Sequence, residues 1–185
     1  METTYYLTKV IEELTYSSLQ ISDFEAEQLV NSISTSSKVF VAGAGRSGLM
    51  AKSFAMRMMH MGIDAYVVGE TVTPNIGNRD LLIICSGSGE TRGLVSMAEK
   101  ANNIGAKVAL VTISPDSTIG KLVDMTVQIP GSPKDKETSQ YHTIQPMGSL
   151  FEQTLLLFFD ALILRYMDIK HLDSTTMFSR HANLE

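Results

Sequence analysis

Residues 39–48 read VFVAGAGRSG and residues 81–91 read LLIICSGSGET, and these two stretches decide the fold. Each begins as a short apolar run, typical of a buried strand, and continues into glycines and hydroxyl side chains that precede a helical pattern. The first contains Gly43-x-Gly45-x-x-Gly48, the glycine spacing of dinucleotide-binding loops. Taken alone, it leaves two ligands open: a dinucleotide such as NAD, and a smaller phosphorylated molecule.

Short β-branched runs alternate with helical patterns around these stretches. Strands are predicted at 38–42, 64–68, 80–85, 107–112 and 125–129, and helices between them at 47–61, 91–104 and 117–123. Two helices precede the first strand, the second starting at the capping box Ser22-x-x-Glu25. A final helix at 149–167 follows a polar loop at 130–146. The alternation predicts an α/β fold: a three-layer αβα sandwich on a five-stranded parallel sheet of flavodoxin-like order 2-1-3-4-5.

The length and composition predict one globular domain. The chain has 185 residues, of which 44% are hydrophobic and 19% charged, and its net charge is −5. We therefore expect a single domain over 1–185. Within it, 1–37 is the N-terminal helical segment, 38–168 the α/β core and 169–185 the C-terminal tail.

Several partner classes are disfavoured by the sequence. Residues 1–37 carry six acidic side chains against Lys9 alone, which would repel a nucleic-acid backbone. One cysteine, Cys85, and four scattered histidines give neither an internal disulfide nor a metal-ligand spacing. The longest apolar run, Leu155 to Phe159, is too short to span a bilayer, and the N-terminus lacks the features of a signal peptide. We expect a cytoplasmic protein with no metal, nucleic-acid or membrane partner.

The second glycine-rich stretch favours the smaller ligand. Ser86, Ser88 and Thr91 bring three hydroxyl groups to a helix N-terminus, where exposed N–H groups already attract anions. A single serine, Ser88, could serve there merely as a helix N-cap, but three hydroxyls with two glycines exceed what a cap needs. In the predicted strand order, both loops follow neighbouring strands at the crevice where ligands bind. A phosphorylated small molecule therefore fits better than NAD.

The paired loops GAGRSG (43–48) and SGSGET (86–91) resemble those of sugar isomerase (SIS) domains, which bind phosphosugars. Two further segments, TIQPMGSLFEQ (143–153) and SRHANLE (179–185), resemble the 6-phospho-3-hexuloisomerase branch of that family, from the ribulose monophosphate pathway of formaldehyde fixation. The resemblance implies conversion of D-arabino-3-hexulose 6-phosphate into D-fructose 6-phosphate through a cis-enediol. It also implies that neither a metal nor a nucleotide cofactor takes part.

The resemblance implies the site residues as well. Glu152 matches the family's catalytic base, although the spacing Ser149-x-x-Glu152 is also that of a capping box, which would leave Glu152 a purely structural role. His181 is a second acid/base candidate, since a histidine from a subunit boundary reaches the site in relatives. Residues expected to bind the substrate are Arg46, Ser47, Ser86, Gly87, Ser88, Gly89, Glu90 and Thr91. The role of Arg46 stays open between a substrate hydroxyl, the phosphate and an acidic neighbour.

The final predicted helix, 149–167, suggests that several copies of the chain associate. Its apolar side chains surround almost the whole helix, so more than one side must be covered. Burial within one chain would satisfy this requirement, but a subunit interface is favoured, and we expect a symmetric homodimer or homotetramer. The residues concerned are Phe151, Leu155, Leu156, Leu157, Phe158, Phe159, Leu162, Ile163, Leu164 and Tyr166.

Three other functions compete with the isomerase. A non-catalytic phosphosugar sensor of this family usually carries a basic helix-turn-helix, whereas residues 1–37 are acidic. An isomerase for another phosphosugar, such as arabinose 5-phosphate, typically carries C-terminal regulatory repeats, for which a sequence ending at Glu185 leaves no room. An NAD-dependent oxidoreductase is the most distant alternative, because no second domain is available to hold its substrate.

Overall fold

The computed structural model describes residues 2–132 and 143–184, which form six helices and five strands. In chain order these are α1 (Thr3–Ser18), α2 (Asp23–Thr35), β1 (Val39–Gly43), α3 (Gly45–His60), β2 (Ala65–Val67), β3 (Leu81–Cys85), α4 (Arg92–Ile104), β4 (Lys107–Thr112), β5 (Met125–Gln128), α5 (Ser149–Lys170) and α6 (Ser174–Phe178). Of the predicted loop 130–146, residues 133–142 lie outside the described part of the chain.

The strands form one parallel sheet in the order β2-β1-β3-β4-β5, which confirms the predicted topology. The central pair, β1 and β3, runs in register from Val39 beside Leu81 to Gly43 beside Cys85. Both strands therefore end at the same level. As a result, the loop after β1 and the loop after β3 leave the sheet side by side, at the point where the strand order reverses.

Helices cover both faces of the sheet, as predicted for a three-layer sandwich. On one face, α2, α3 and α5 bury a core in which the rings of Phe54 and Phe159 stack with centroids 4.1 Å apart. On the other face, α4 packs Leu94 and Ala98 against side chains of the sheet such as Ile84. Because β3 lies in the middle of the sheet and is covered on both faces, it is buried along its whole length, as its uninterrupted apolar sequence predicts.

The prediction of a helix at 117–123 is wrong, because these residues form turns. Lys121 N does donate to the Ser117 carbonyl at 3.1 Å, as in one turn of a helix, but the pattern does not continue. Ile119 N donates to the carbonyl of Gly89 at 3.1 Å, and Gly120 N donates to Ser117 Oγ at 3.2 Å. Gly120 also lies so close to Pro115 that a Cβ would meet the Pro115 carbonyl oxygen at 1.8 Å. The short link from β4 to β5 is thus held by the loop after β3 instead of by a helix.

The capping box of α2 is half formed. Ser22 Oγ accepts a hydrogen bond from Glu25 N at 3.4 Å, as predicted. The Glu25 carboxylate, however, accepts from Gln128 N at 2.8 Å and so links α2 to the edge strand β5.

None of the described helices has the length and hydropathy needed to cross a bilayer.

Candidate active site

A cavity of about 420 Å³ opens at the carboxyl ends of β1 and β3. Three segments build its walls: residues 44–47 after β1, residues 85–88 with Thr91 after β3, and the first turn of α5 from Gly148 to Glu152. Its size lies in the range of small-molecule sites, so one phosphosugar is a suitable occupant.

The glycines of the first loop bring β1 and α3 into close contact. A Cβ at Gly48 would lie 2.6 Å from the carbonyl oxygen of Gly43, a distance no side chain tolerates. Gly45 has a φ of +57°, a left-handed conformation that other residues rarely adopt. This tight turn places Arg46 and Ser47 in the first turn of α3, where both line the cavity.

The two serines of the second loop have different environments, one buried and one exposed. Ser86 is buried, and its Oγ accepts a hydrogen bond from Gly89 N at 3.1 Å, which shapes the loop. Ser88 is exposed, lines the cavity and accepts from Glu90 N at 3.2 Å. The N-cap of α4 is Thr91, so Ser88 does not have the capping role that the sequence left open.

Three helices begin at the cavity, and none has a side-chain cap. The N-cap residues of α3, α4 and α5 are Ala44, Thr91 and Gly148, and none of them accepts a capping hydrogen bond on its side chain. Away from the cavity, the side chains of Ser22 and Asp173 cap α2 and α6, whereas α1 also lacks a side-chain cap. Uncapped N–H groups and the positive ends of three helix dipoles therefore converge on one space, which is suited to an anion such as a phosphate.

Glu152 pairs with Arg46 on the wall of this cavity. The Glu152 carboxylate lies 3.0 Å from Arg46 Nε, and Arg46 Nη1 donates to Ser149 Oγ at 3.1 Å. Glu152 is only 9% exposed, so the ion pair fixes a carboxylate that has little access to water. The sequence left three partners open for Arg46: a substrate hydroxyl, the phosphate and an acidic neighbour. The structure shows Arg46 paired with an acidic neighbour, Glu152.

The capping-box interpretation of Glu152 is wrong. Helix α5 begins at Ser149 and its N-cap is Gly148, so Ser149 is not in the capping position. The Ser149 N–H donates to the carbonyl of Pro146 at 3.2 Å instead of to a carboxylate. Glu152 therefore does not cap α5, and its carboxylate pairs with Arg46 instead.

Two residues expected to bind substrate face elsewhere. The Glu90 carboxylate accepts hydrogen bonds from Thr118 Oγ1 at 2.7 Å and Thr118 N at 2.8 Å, and these bonds hold the pKa of Glu90 below its usual value. Gly89 has a φ of +64° and packs against Ser117. Both shape the loop and neither lines the cavity, whereas Arg46, Ser47, Ser86, Gly87, Ser88 and Thr91 do.

His181 lies at the far end of α3 from the cavity of its own chain. Its ring stacks on that of His60, the last residue of α3, with centroids 5.3 Å apart. The cavity borders Arg46 at the first turn, and the intervening length of helix is roughly 21 Å. The described residues therefore do not bring His181 and Glu152 of one chain together.

Several residues that line the cavity were not predicted from the sequence. Phe151 and Ile113 lie so close to Gly87 that a Cβ there would be 3.3 Å and 3.4 Å from their side chains. Phe151 could have been inferred from its place beside Glu152, whereas Ile113 and Ser132 carry no signal beyond following strands. Among the described residues, no group of three or more His, Cys, Asp or Glu side chains is arranged to hold a metal ion.

The class of protein follows from comparison with known families. The SIS domain, the sugar isomerase domain, matches residues 32–157, which include both glycine-rich loops and the first turns of α5. The chain belongs to the SIS domain family.

Individual relatives indicate a particular kind of isomerase within the family. The chain is 57% identical to the 3-hexulose-6-phosphate isomerase of Bacillus subtilis over 185 residues, the full length of both. It is 40% identical to the enzyme of the same name from Mycobacterium gastri, over 98% of this chain and 91% of that one. A crystal structure from Methanococcus jannaschii, whose fold was taken to infer 3-hexulose-6-phosphate isomerase function, superposes with a TM-score of 0.83 at 34% identity and covers 98% of this chain and 99% of its own.

Proposed function

We propose that the chain is a 6-phospho-3-hexuloisomerase, which interconverts D-arabino-3-hexulose 6-phosphate and D-fructose 6-phosphate. The observation that carries the proposal is the buried Glu152 carboxylate, held by Arg46 at the wall of a cavity where three uncapped helices begin. A base beside an anion site is what isomerisation of a phosphosugar requires. The names of the Bacillus subtilis and Mycobacterium gastri relatives specify the sugar.

The substrate phosphate would bind at the loop after β3. Ser88 and Thr91 offer hydroxyl groups there, and the backbone N–H groups at the start of α4 add further donors. Binding the phosphate at a distance from the reacting carbons orients them at little entropic cost during the reaction. In this arrangement the sugar carbons extend from the loop toward the first turn of α5.

Glu152 would carry the proton between the two carbons. In the forward reaction its carboxylate removes the proton from C2, electrons move into the C3 carbonyl, and a cis-enediolate forms. The carboxyl then delivers a proton to C3, the hydroxyl proton on O2 passes to O3 and the carbonyl forms at C2, so no oxidant or cofactor is consumed. Between the two steps the carboxyl can exchange its proton with water. Arg46 lies beside Glu152, where its guanidinium would stabilise the negative charge that develops on the enediolate oxygens.

The cellular setting follows from this reaction and is part of the proposal. The enzyme would act in the cytoplasm, within the ribulose monophosphate route of formaldehyde fixation. It would work as a homotetramer or homodimer, in which His181 of a neighbouring subunit could supply a second acid/base group to the cavity.

The experiment is an assay with two substrates. Purified protein is mixed with D-arabino-3-hexulose 6-phosphate, and fructose 6-phosphate is detected by a coupled reaction; a parallel reaction uses arabinose 5-phosphate. Turnover of the first substrate alone supports the proposal. Turnover of arabinose 5-phosphate alone would assign another isomerase, and binding of either sugar without turnover would assign a sensor.

A further inference from the structure

Glu13 on α1 binds the segment that leads into α5. Its carboxylate accepts hydrogen bonds from Thr143 Oγ1 at 2.6 Å, Ile144 N at 2.8 Å and Gln145 Nε2 at 2.9 Å. Three consecutive residues are therefore attached to one side chain, about 130 residues earlier in the chain. No function assigned above to the cavity uses this contact.

The charge on Glu13 is part of the contact. Burial raises the pKa of the Glu13 carboxyl, but the hydrogen bonds from Thr143, Ile144 and Gln145 together outweigh burial and bring the pKa below its usual value. All three partners are donors, so an ionised carboxylate, which only accepts, matches them. Gln145 is 4% exposed whereas Ile144 is 57% exposed, so the contact is shielded from water on the Gln145 side.

The segment that Glu13 binds is under backbone strain. Met147, between Pro146 and Gly148, has a φ of +56°, a left-handed conformation that is costly for a residue with a side chain. Such a conformation persists only where the surrounding structure holds the chain in place. Glu13 supplies that restraint on the N-terminal side of Met147.

Contacts continue from this segment to the catalytic pair. Ser149 N donates to the Pro146 carbonyl at 3.2 Å, and Glu152 N donates to the Gly148 carbonyl at 3.0 Å. Ser149 Oγ in turn accepts from Arg46, which pairs with Glu152. A shift of residues 143–148 would therefore displace the start of α5, and with it the Glu152 carboxylate.

A second contact from α1 supports the same helix. Ser17, one turn after Glu13, donates from Oγ to the Pro130 carbonyl at 3.2 Å and accepts at Oγ from Thr154 Oγ1 at 3.2 Å. All of these groups are buried. Helix α1 thus contacts both the described ends of the 130–146 loop and the first turns of α5.

We propose that Glu13 is a positioning residue: it fixes residues 143–148 so that Glu152 and Arg46 meet at the cavity wall. The proposal rests on the assignment of Glu152 as the base. It assigns to α1 a role in the chemical step, although α1 does not line the cavity.

The test compares two glutamates one residue apart. Glu13→Gln keeps the size of the side chain but places an amide N–H₂ among donors, whereas Glu12→Gln changes an exposed residue of the same helix that pairs with Lys9. Each substitution is made in the natural sequence and in the Glu152→Gln background. Steady-state kinetics, the Kd for fructose 6-phosphate and thermal unfolding are measured for every variant.

We expect Glu13→Gln to lower kcat by roughly tenfold in the natural sequence, with a Kd changed less than about twofold, because a displaced base slows proton transfer more than it weakens binding. In the Glu152→Gln background the same change should lower the residual rate by less than about twofold, since there is no base left to position. Glu12→Gln should have no effect in either background.

Equal losses in both backgrounds, or a loss fully explained by unfolding, would overturn the positioning role. If Glu13→Gln does not fold, Thr143→Val removes the shortest of the three bonds and should give the same pattern on a smaller scale; additive effects there would also overturn it. Full activity of Glu152→Gln would instead remove the base assignment itself, so the two failures are distinguishable.

Discussion

Ser86 and Ser88 are two residues apart in the loop after β3, yet their surroundings differ. Ser86 is 4% exposed and its hydroxyl satisfies the backbone N–H of Gly89. Ser88 is exposed at the cavity, and a hydroxyl that accepts one hydrogen bond can still donate its own proton to an anion. We therefore expect Ser86 mainly to shape the loop and Ser88 to bind the ligand.

Ser88→Ala should raise KM for the sugar phosphate by roughly tenfold with kcat changed less than about twofold, because it removes one hydrogen bond to a charged group. Ser86→Ala should instead lower the free energy of unfolding by about 1–3 kcal/mol, since it leaves the buried Gly89 N–H without a partner. Steady-state kinetics and urea unfolding measure the two effects. An unchanged KM for Ser88→Ala would contradict a phosphate site at this loop.

At the scale of residues, the sequence predicted several residues that line the cavity, but not the contacts that those residues make. Arg46 and Ser88 were chosen correctly as residues of the cavity wall because glycine-rich loops after parallel strands have fixed local geometry. The pairing of Arg46 with Glu152 could not be predicted, because it joins helices more than 100 residues apart in the chain. The contact of Glu90 with Thr118 was unforeseen for a similar reason, since Thr118 lies in a link whose conformation the sequence did not reveal.

At the scale of elements, the two ends of α3 have different environments. Its first turn borders the cavity, whereas its last residue, His60, is buried against Arg57 and His181. Burial lowers the pKa of His60, and the positive charges of Arg57 and His181 lower it further. The C-terminal tail thus packs on a histidine whose protonation is disfavoured in the folded chain.

This packing predicts a pH dependence of stability. Because the folded pKa of His60 is below its unfolded value of about 6.5, the unfolded chain binds the proton more readily, and stability should fall as pH decreases below that value. Thermal unfolding at pH 7.5 and pH 5.5 measures this loss. His60→Gln should reduce the difference in Tm between the two pH values, and an undiminished difference would contradict the assignment to His60.

Strands and long helices could be predicted because their apolar periods are set by burial on one or both faces. The link at 113–124 could not, since Ile119 and Leu122 have a helix-like spacing but Ile119 N donates to the Gly89 carbonyl of a distant loop. The start of α5 also differs from the sequence pattern. The capping box Ser149-x-x-Glu152 does not form, because the Ser149 N–H bonds to the nearby Pro146 carbonyl and the Glu152 carboxylate pairs with the distant Arg46.

At the scale of the whole molecule, α5 is covered mainly by its own chain. Leu155, Phe159 and Leu162 are buried in the core shared with α2 and α3. Leu157 and Leu164 remain 52% and 66% exposed on the outer side of the helix. The apolar surface left for another subunit is therefore smaller than the sequence suggested, and association stays a prediction that depends on these exposed side chains.

We expect sedimentation velocity at micromolar concentration to give a dimer or tetramer, because exposed leucines on a structured helix gain from burial between subunits. Leu164→Lys should shift the distribution to smaller species. Ile104→Lys, at an exposed position of α4 on the other face of the sheet, is the matched control and should not. A monomer in the natural sequence would refute this prediction and, with it, a cross-subunit role for His181.

The central claim is that Glu152 moves a proton between C2 and C3 of a phosphorylated ketose. The most direct measurement is hydrogen exchange: fructose 6-phosphate is incubated with the protein in deuterated water, and deuterium at each carbon is followed by NMR. Starting from this sugar, a base that forms the 2,3-enediol removes the proton from C3, whereas an aldose–ketose isomerase would remove one from C1. We expect deuterium at C3, with the rate of exchange lowered by roughly 10²-fold or more in folded Glu152→Gln. Exchange at C1 alone, no exchange, or an undiminished rate in Glu152→Gln would contradict it.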